Sequence, residues 1–73
     1  MEPVPAVWDI APGADRDKVE DVVRRLAEQL EIDTPEVGSN SVLLPADYPR
    51  VARALDEVEP GWRDESVLIP PSA

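Results

Sequence analysis

Glu31–Leu44, EIDTPEVGSNSVLL, decides how many strands this chain has. Gly38-Ser39-Asn40 is a turn cluster flanked by Ile32–Val37 and Ser41–Leu44. The spacing predicts a hairpin with a three-residue loop, in which Gly38 or Asn40 takes a positive φ. Pro35 has no N–H to give a ladder, so Ile32–Val37 is an edge strand or a plain loop. Val42, Leu43 and Leu44 are consecutive and apolar. Such a run predicts a strand buried on both faces, at the centre of a sheet.

Upstream of it, Asp15–Leu30 has the plainest period in the chain. Val19, Val22, Val23, Leu26, Ala27 and Leu30 fall on one stripe of an amphipathic helix. The helix starts at Asp15 or Asp17; Asp17 as N-cap would place Glu20 at capping-box spacing. Glu20–Arg24 and Asp21–Arg25 are i,i+4 pairs in the favourable order. Before the helix, Ala11-Pro12-Gly13-Ala14 is a turn. Ala6–Ile10 is a short strand, with Ala6, Trp8 and Ile10 on one face and Val7 and Asp9 on the other.

Downstream, Pro45-Ala46 stops the strand and Asp47 is a good N-cap. The second helix runs to about Val58, with Tyr48, Val51, Leu55 and Val58 as its stripe. Glu59-Pro60-Gly61 ends it, Gly61 permitting a left-handed turn. Trp62 is placed to fold back onto that helix. Ser66–Ile69 reads as the last strand. SVLLP (41–45) recurs as SVLIP (66–70). Two five-residue matches are too short to mark a repeat, so both are read as apolar strands closed by Pro.

The predicted order is β-α-β-β-α-β, a small two-layer α+β sandwich of the ferredoxin-like pattern. Two helices would cover one face of a sheet of three or four strands. If Ile32–Val37 is loop, the order falls back to βαβαβ with three strands. Residues 1–73 form one small domain, with extended tails at 1–5 and 70–73. A domain this small with no disulfide or metal staple is marginal alone, which points to a homo-oligomer or a subunit. The initial Met and the lack of any tag-like stretch lead us to expect a whole gene product.

Composition removes most chemistries. The chain has no Cys and no His, which excludes disulfides, thiolate or imidazole metal sites and the usual nucleophile–base pairs. Lys18 is the single lysine and lies on the polar side of the first helix. Three scattered glycines build no phosphate loop. The acids at the start of the first helix follow the helix dipole and lack a calcium-loop pattern. No cofactor and no metal are therefore expected, and an enzyme is not expected either. No basic leader and no long apolar run are seen, so the expected compartment is the cytoplasm, with no membrane contact.

Sixteen acids against seven bases give a net charge of −9. Such a charge disfavours direct nucleic-acid binding and suits a basic protein partner. The expected function is thus a non-enzymatic protein–protein interaction domain: an accessory subunit, adaptor or inhibitor. Its expected contact residues are Trp62 and Arg63 as an aromatic anchor, with Glu20, Asp21 and Glu28 as the acidic steering surface. Both Trp8 and Trp62 also suit a core otherwise short of large residues. The rival readings are a small-molecule-binding regulatory domain acting as a dimer, and an acidic nucleic-acid mimic.

Overall fold

The computed structural model describes residues 4–65 and 67–71. Parts of both expected tails and Ser66, the expected start of the last strand, lie outside the described residues. The elements are β1 (Pro5–Ile10), α1 (Arg16–Leu30), β2 (Ser41–Pro45), α2 (Tyr48–Val58), a single-turn α3 (Trp62–Glu65) and β3 (Leu68–Ile69). The strands form an antiparallel sheet in the order β2-β1-β3. Helices lie on one face of it, giving a two-layer α+β domain.

Local chemistry explains the boundaries. Ala14 N–H closes a turn on the Ala11 carbonyl, with Pro12 and then Gly13 at φ 85°, the pairing that a type II turn demands. Asp15 caps α1 by accepting from Asp17 N–H, so the expected Asp17–Glu20 capping box does not form. Asp47 caps α2, and Pro49 sits in its first turn, where a missing N–H does no harm. Gly61 takes φ 94° after that helix and turns the chain back.

All six stripe residues of α1 are buried, as their spacing predicts. Against them pack Val51, Leu55 and Val58 of α2 and the inner face of the sheet: Trp8, Val42, Leu44 and Leu68. The helices run antiparallel, since the start of each reaches the end of the other. Lys18 pairs with Glu59 at 2.9 Å, and Arg50 donates to the Leu30 carbonyl at 3.1 Å. Arg25 donates to the Val58 carbonyl at 3.0 Å. Both helix ends thus give a carbonyl to an arginine of the neighbouring helix, a favourable place for a cation.

Four expectations need correction. The β-α-β-β-α-β order gives way to the three-stranded fallback, because among the described residues Ile32–Val37 contributes only an isolated bridge, Val37 to Val42. The run Val42–Leu44 is not buried on both faces. β2 lies at the sheet edge, and its burial alternates, with Leu43 52% exposed. Neither Gly38 nor Asn40 takes a positive φ; among the described residues that conformation falls to Gly13, Gly61 and Glu31. Tyr48 is 42% exposed and so stands at the margin of the α2 stripe.

Candidate functional site

Two surfaces gather the residues that the sequence singles out. The first is an aromatic corner where α2, α3 and β3 meet. Tyr48, Ala52 and Asp56 recur every fourth residue and share the α2 face turned to it. Trp8 stacks on Tyr48 with ring centroids 5.8 Å apart and lies tilted against Trp62 at 6.1 Å. Trp62 Nε1 donates to Asp56 Oδ1, and Arg63 reaches Asp56 Oδ2 at 3.3 Å. The Arg63 guanidinium also sits 5.4 Å from the Trp62 ring centroid. One carboxylate therefore serves both residues of the expected anchor.

This arrangement fixes the ring rather than presenting it. Trp62 is 2% exposed and Trp8 is 1% exposed, so both fill the core. Burial without an N–H partner would cost about 1–3 kcal/mol, and Asp56 removes that cost for Trp62. Tyr48, Asp56 and Arg63 reach solvent at the corner. Beside them opens a groove of about 530 Å³ lined by Tyr48, Trp62, Arg63, Leu68, Ile69 and Pro70.

The second surface is the outer side of α1. Glu20 and Glu28 are exposed there, and Asp21 is half-buried. Asp21 is already engaged, pairing with Arg24 at 2.8 Å and with Arg25 at 3.3 Å. Arg24 thus reaches Asp21 rather than the expected Glu20. Glu28 borders a shallow polar hollow with Arg25, Gln29, Glu31 and Glu57. Trp62 and Arg63 thus cluster with Asp56 on the α3 side, while Glu20, Asp21 and Glu28 belong to α1.

Sequence reasoning missed Tyr48 and Asp56 as parts of the corner. The signal was present in their i,i+8 spacing on α2, but it needs a fold-back of Trp62 to acquire meaning. Among the described residues no group of three or more acids could hold a metal ion. The described surface offers exposed carboxylates, one guanidinium over an indole, and an apolar groove. Compared with family models, with curated proteins and with solved structures, the chain matches none.

Proposed function

We propose that this chain is a non-enzymatic binding module that engages a basic protein partner through the acidic surface of its helical layer. One observation carries the reading. Arg16, Arg25 and Arg50 each donate to main-chain carbonyls, Arg16 to Val37 and Gly38, the others to helix ends. Half of the arginines thus bind main-chain carbonyls, Arg25 sharing its group with Asp21, and sixteen acids against seven bases leave carboxylates such as Asp17, Glu20, Glu28, Asp33 and Glu36 exposed and in excess. An uncompensated field of this sign steers a basic partner and speeds its encounter.

The burial of Trp62 shifts the anchor to what stands around it. Tyr48 and Arg63 take the contact role at the corner, and Trp62 positions Arg63. In fold terms we read the domain as ferredoxin-like with its outer strand shortened to the Val37–Val42 bridge. The support is β1 lying between two antiparallel neighbours, with that bridge on the far side of β2.

The test compares the wild type with Glu20→Lys/Glu28→Lys, since Asp21 is already paired. Each is used as bait in host extract at about 50 and about 500 mM NaCl, with captured proteins identified by mass spectrometry. Basic proteins held by the wild type at low salt, and lost by the variant or at high salt, support the reading. Equal capture by both baits at both salts refutes it.

The groove beside Tyr48 favours a second reading, a small-molecule-binding regulatory domain, since its volume falls in the range of ligand sites. A thermal-shift screen with amino acids and nucleotides separates the two, because a resident ligand raises the melting temperature. The mimic reading is less well supported: exposed acids occur on both helices, on α3 and in the 31–40 segment rather than along one face.

A further inference from the structure

Asn40 is the single asparagine of the chain and ends the turn that leads into β2. It is exposed, as is Ser39 before it, and Ser41 after it is half-buried. An asparagine loses its amide when the main-chain nitrogen of the next residue attacks the side-chain Cγ, so the state of Ser41 N–H decides whether Asn40 is labile. The ladder leaves that group unused. Ala46 N–H donates to the Val4 carbonyl at 2.9 Å, and Ile10 N–H donates to the Asn40 carbonyl at 2.8 Å. These two contacts fix the alternation along β1 and β2, and Asp9–Ser41 falls on a pair that exchanges no hydrogen bonds. On its other side Ser41 accepts from Gly38 N–H through its carbonyl, and among the described residues nothing accepts from its own N–H. The Asn40 side chain likewise has no hydrogen-bond partner among the described residues.

We propose that Asn40 is a site of spontaneous deamidation, closed through a succinimide with Ser41. The Ser41 nitrogen gives up its proton and forms the new bond to Asn40 Cγ. The Cγ–Nδ2 bond breaks, and Nδ2 takes up a proton and leaves as ammonia. Water then opens the ring at either carbonyl, leaving aspartate or isoaspartate. Nothing but water is consumed.

The fold assists the first step. Removing the Ser41 proton spreads negative charge onto the Asn40 carbonyl oxygen, which already accepts from Ile10 N–H. A hydrogen bond to a charged acceptor is roughly twice as strong as one to a neutral acceptor, so Ile10 stabilises the attacking anion. Serine carries no branching methyl to crowd that nitrogen. The charged groups facing the turn are Asp9 across the ladder and Arg16, which holds the Gly38 carbonyl, and their signs oppose. Elsewhere the same reaction is hindered: Asp33 is followed by branched Thr34, and Gln29 would need a larger ring. The products differ in consequence. Aspartate keeps the main chain and adds a negative charge near Asp9. Isoaspartate also inserts a methylene between residues 40 and 41, so either the Ile10–Asn40 bond or the Asp9–Ser41 register is lost.

The test incubates the full folded chain, and the same chain in about 6 M guanidinium chloride, at about pH 8.5 and about 37 °C. Peptide mass spectrometry follows Asn40, with fragmentation that separates aspartate from isoaspartate. The folded chain is expected to convert at no less than about a tenth of the unfolded rate, because Ile10 assists and Ser41 N–H is unused. Ser41→Val or Ser41→Thr should slow conversion of the folded chain at least about fivefold, since a branched side chain crowds the nitrogen. Both residues suit the start of a strand, circular dichroism checks the fold, and either serves if the other misfolds. A folded chain that keeps Asn40, or converts it more slowly than that limit, overturns the proposal. Conversion unchanged by both Ser41 variants overturns it as well, because the amide would then be lost to water directly.

Discussion

Glu31 is the residue most out of keeping with its position. It closes α1 at φ 56° and ψ 46°, the left-handed conformation that β-carbon crowding disfavours by about 1–2 kcal/mol. The geometry is held by the hydrogen bonds around it. Glu31 N–H donates to the Glu28 carbonyl at 3.3 Å, and Ile32 N–H reaches back to Ala27 at 3.0 Å. This is a Schellman closure, with half-buried Ile32 packed against the core as its apolar member. Glycine adopts this conformation freely, so Glu31→Gly should stabilise the protein by about 0.5–1 kcal/mol. Part of the gain is offset by the greater freedom of glycine in the unfolded chain. A urea titration checks it; a lower midpoint would show that the Glu31 side chain contributes more than its backbone strain costs. The closure was not legible in the sequence because its usual glycine is missing. Gly61 and Pro12-Gly13, where the expected residue is present, could be read directly.

The 31–40 segment shows why one expected element did not form. A strand needs free N–H groups at alternate positions along its ladder. Here Ile32 N–H is held by the helix end and Pro35 has none, while Gly38 N–H, just past the segment, closes the turn on the Ser41 carbonyl of β2 at 2.8 Å. Arg16, the first residue of α1, then clamps the Val37 and Gly38 carbonyls at 2.9 Å each. Only Val37 is left to bridge β2. Pro35 was readable as a warning; the Arg16 clamp, acting across more than twenty residues, was not. The same packing makes Gly38 necessary for a reason other than φ. A β-carbon there would lie 2.8 Å from the Ser41 backbone oxygen, which has no flexible side chain to yield. Gly38→Ala should therefore destabilise by about 1–3 kcal/mol and lower the melting temperature by roughly 5–15 °C. An unchanged melting temperature would mean that the turn shifts without penalty. In β2 itself, the order Val-Leu-Leu hid the alternation that became plain once the strand was placed at an edge. A continuous apolar run is compatible with either place, and the exposed Leu43 is what gives the sheet its open face.

On the scale of the molecule, the sign and size of the charge were legible, but its distribution was not. Sixteen acids and seven bases occupy a body with a radius of gyration of 10.9 Å. Two opposed effects of salt can be weighed. The ion pairs Lys18–Glu59, Arg24–Asp21, Arg25–Asp21 and Arg63–Asp56 have separations of 2.8–3.3 Å. All involve partly or largely exposed groups, each contributing about 0–1 kcal/mol. Their separations are well below the screening length of about 8 Å at 0.15 M, so salt up to that strength weakens them little. The excess carboxylates repel across distances set by a body 23 Å wide in its two shorter dimensions. That range lies within the screening length of about 30 Å at 0.01 M and well beyond the length of about 8 Å at 0.15 M. Repulsion is therefore the effect that salt removes, and the folded state, being more compact than the unfolded chain, gains more from its removal. At about 1 µM protein, the melting temperature should rise between about 0.01 and 0.15 M NaCl and then level off. Glu20→Lys/Glu28→Lys, which reduces the net charge, should flatten that rise. A melting temperature that falls with NaCl would place the short ion pairs above the net repulsion, and would contradict the view that the arginines serve the backbone more than they neutralise the surface.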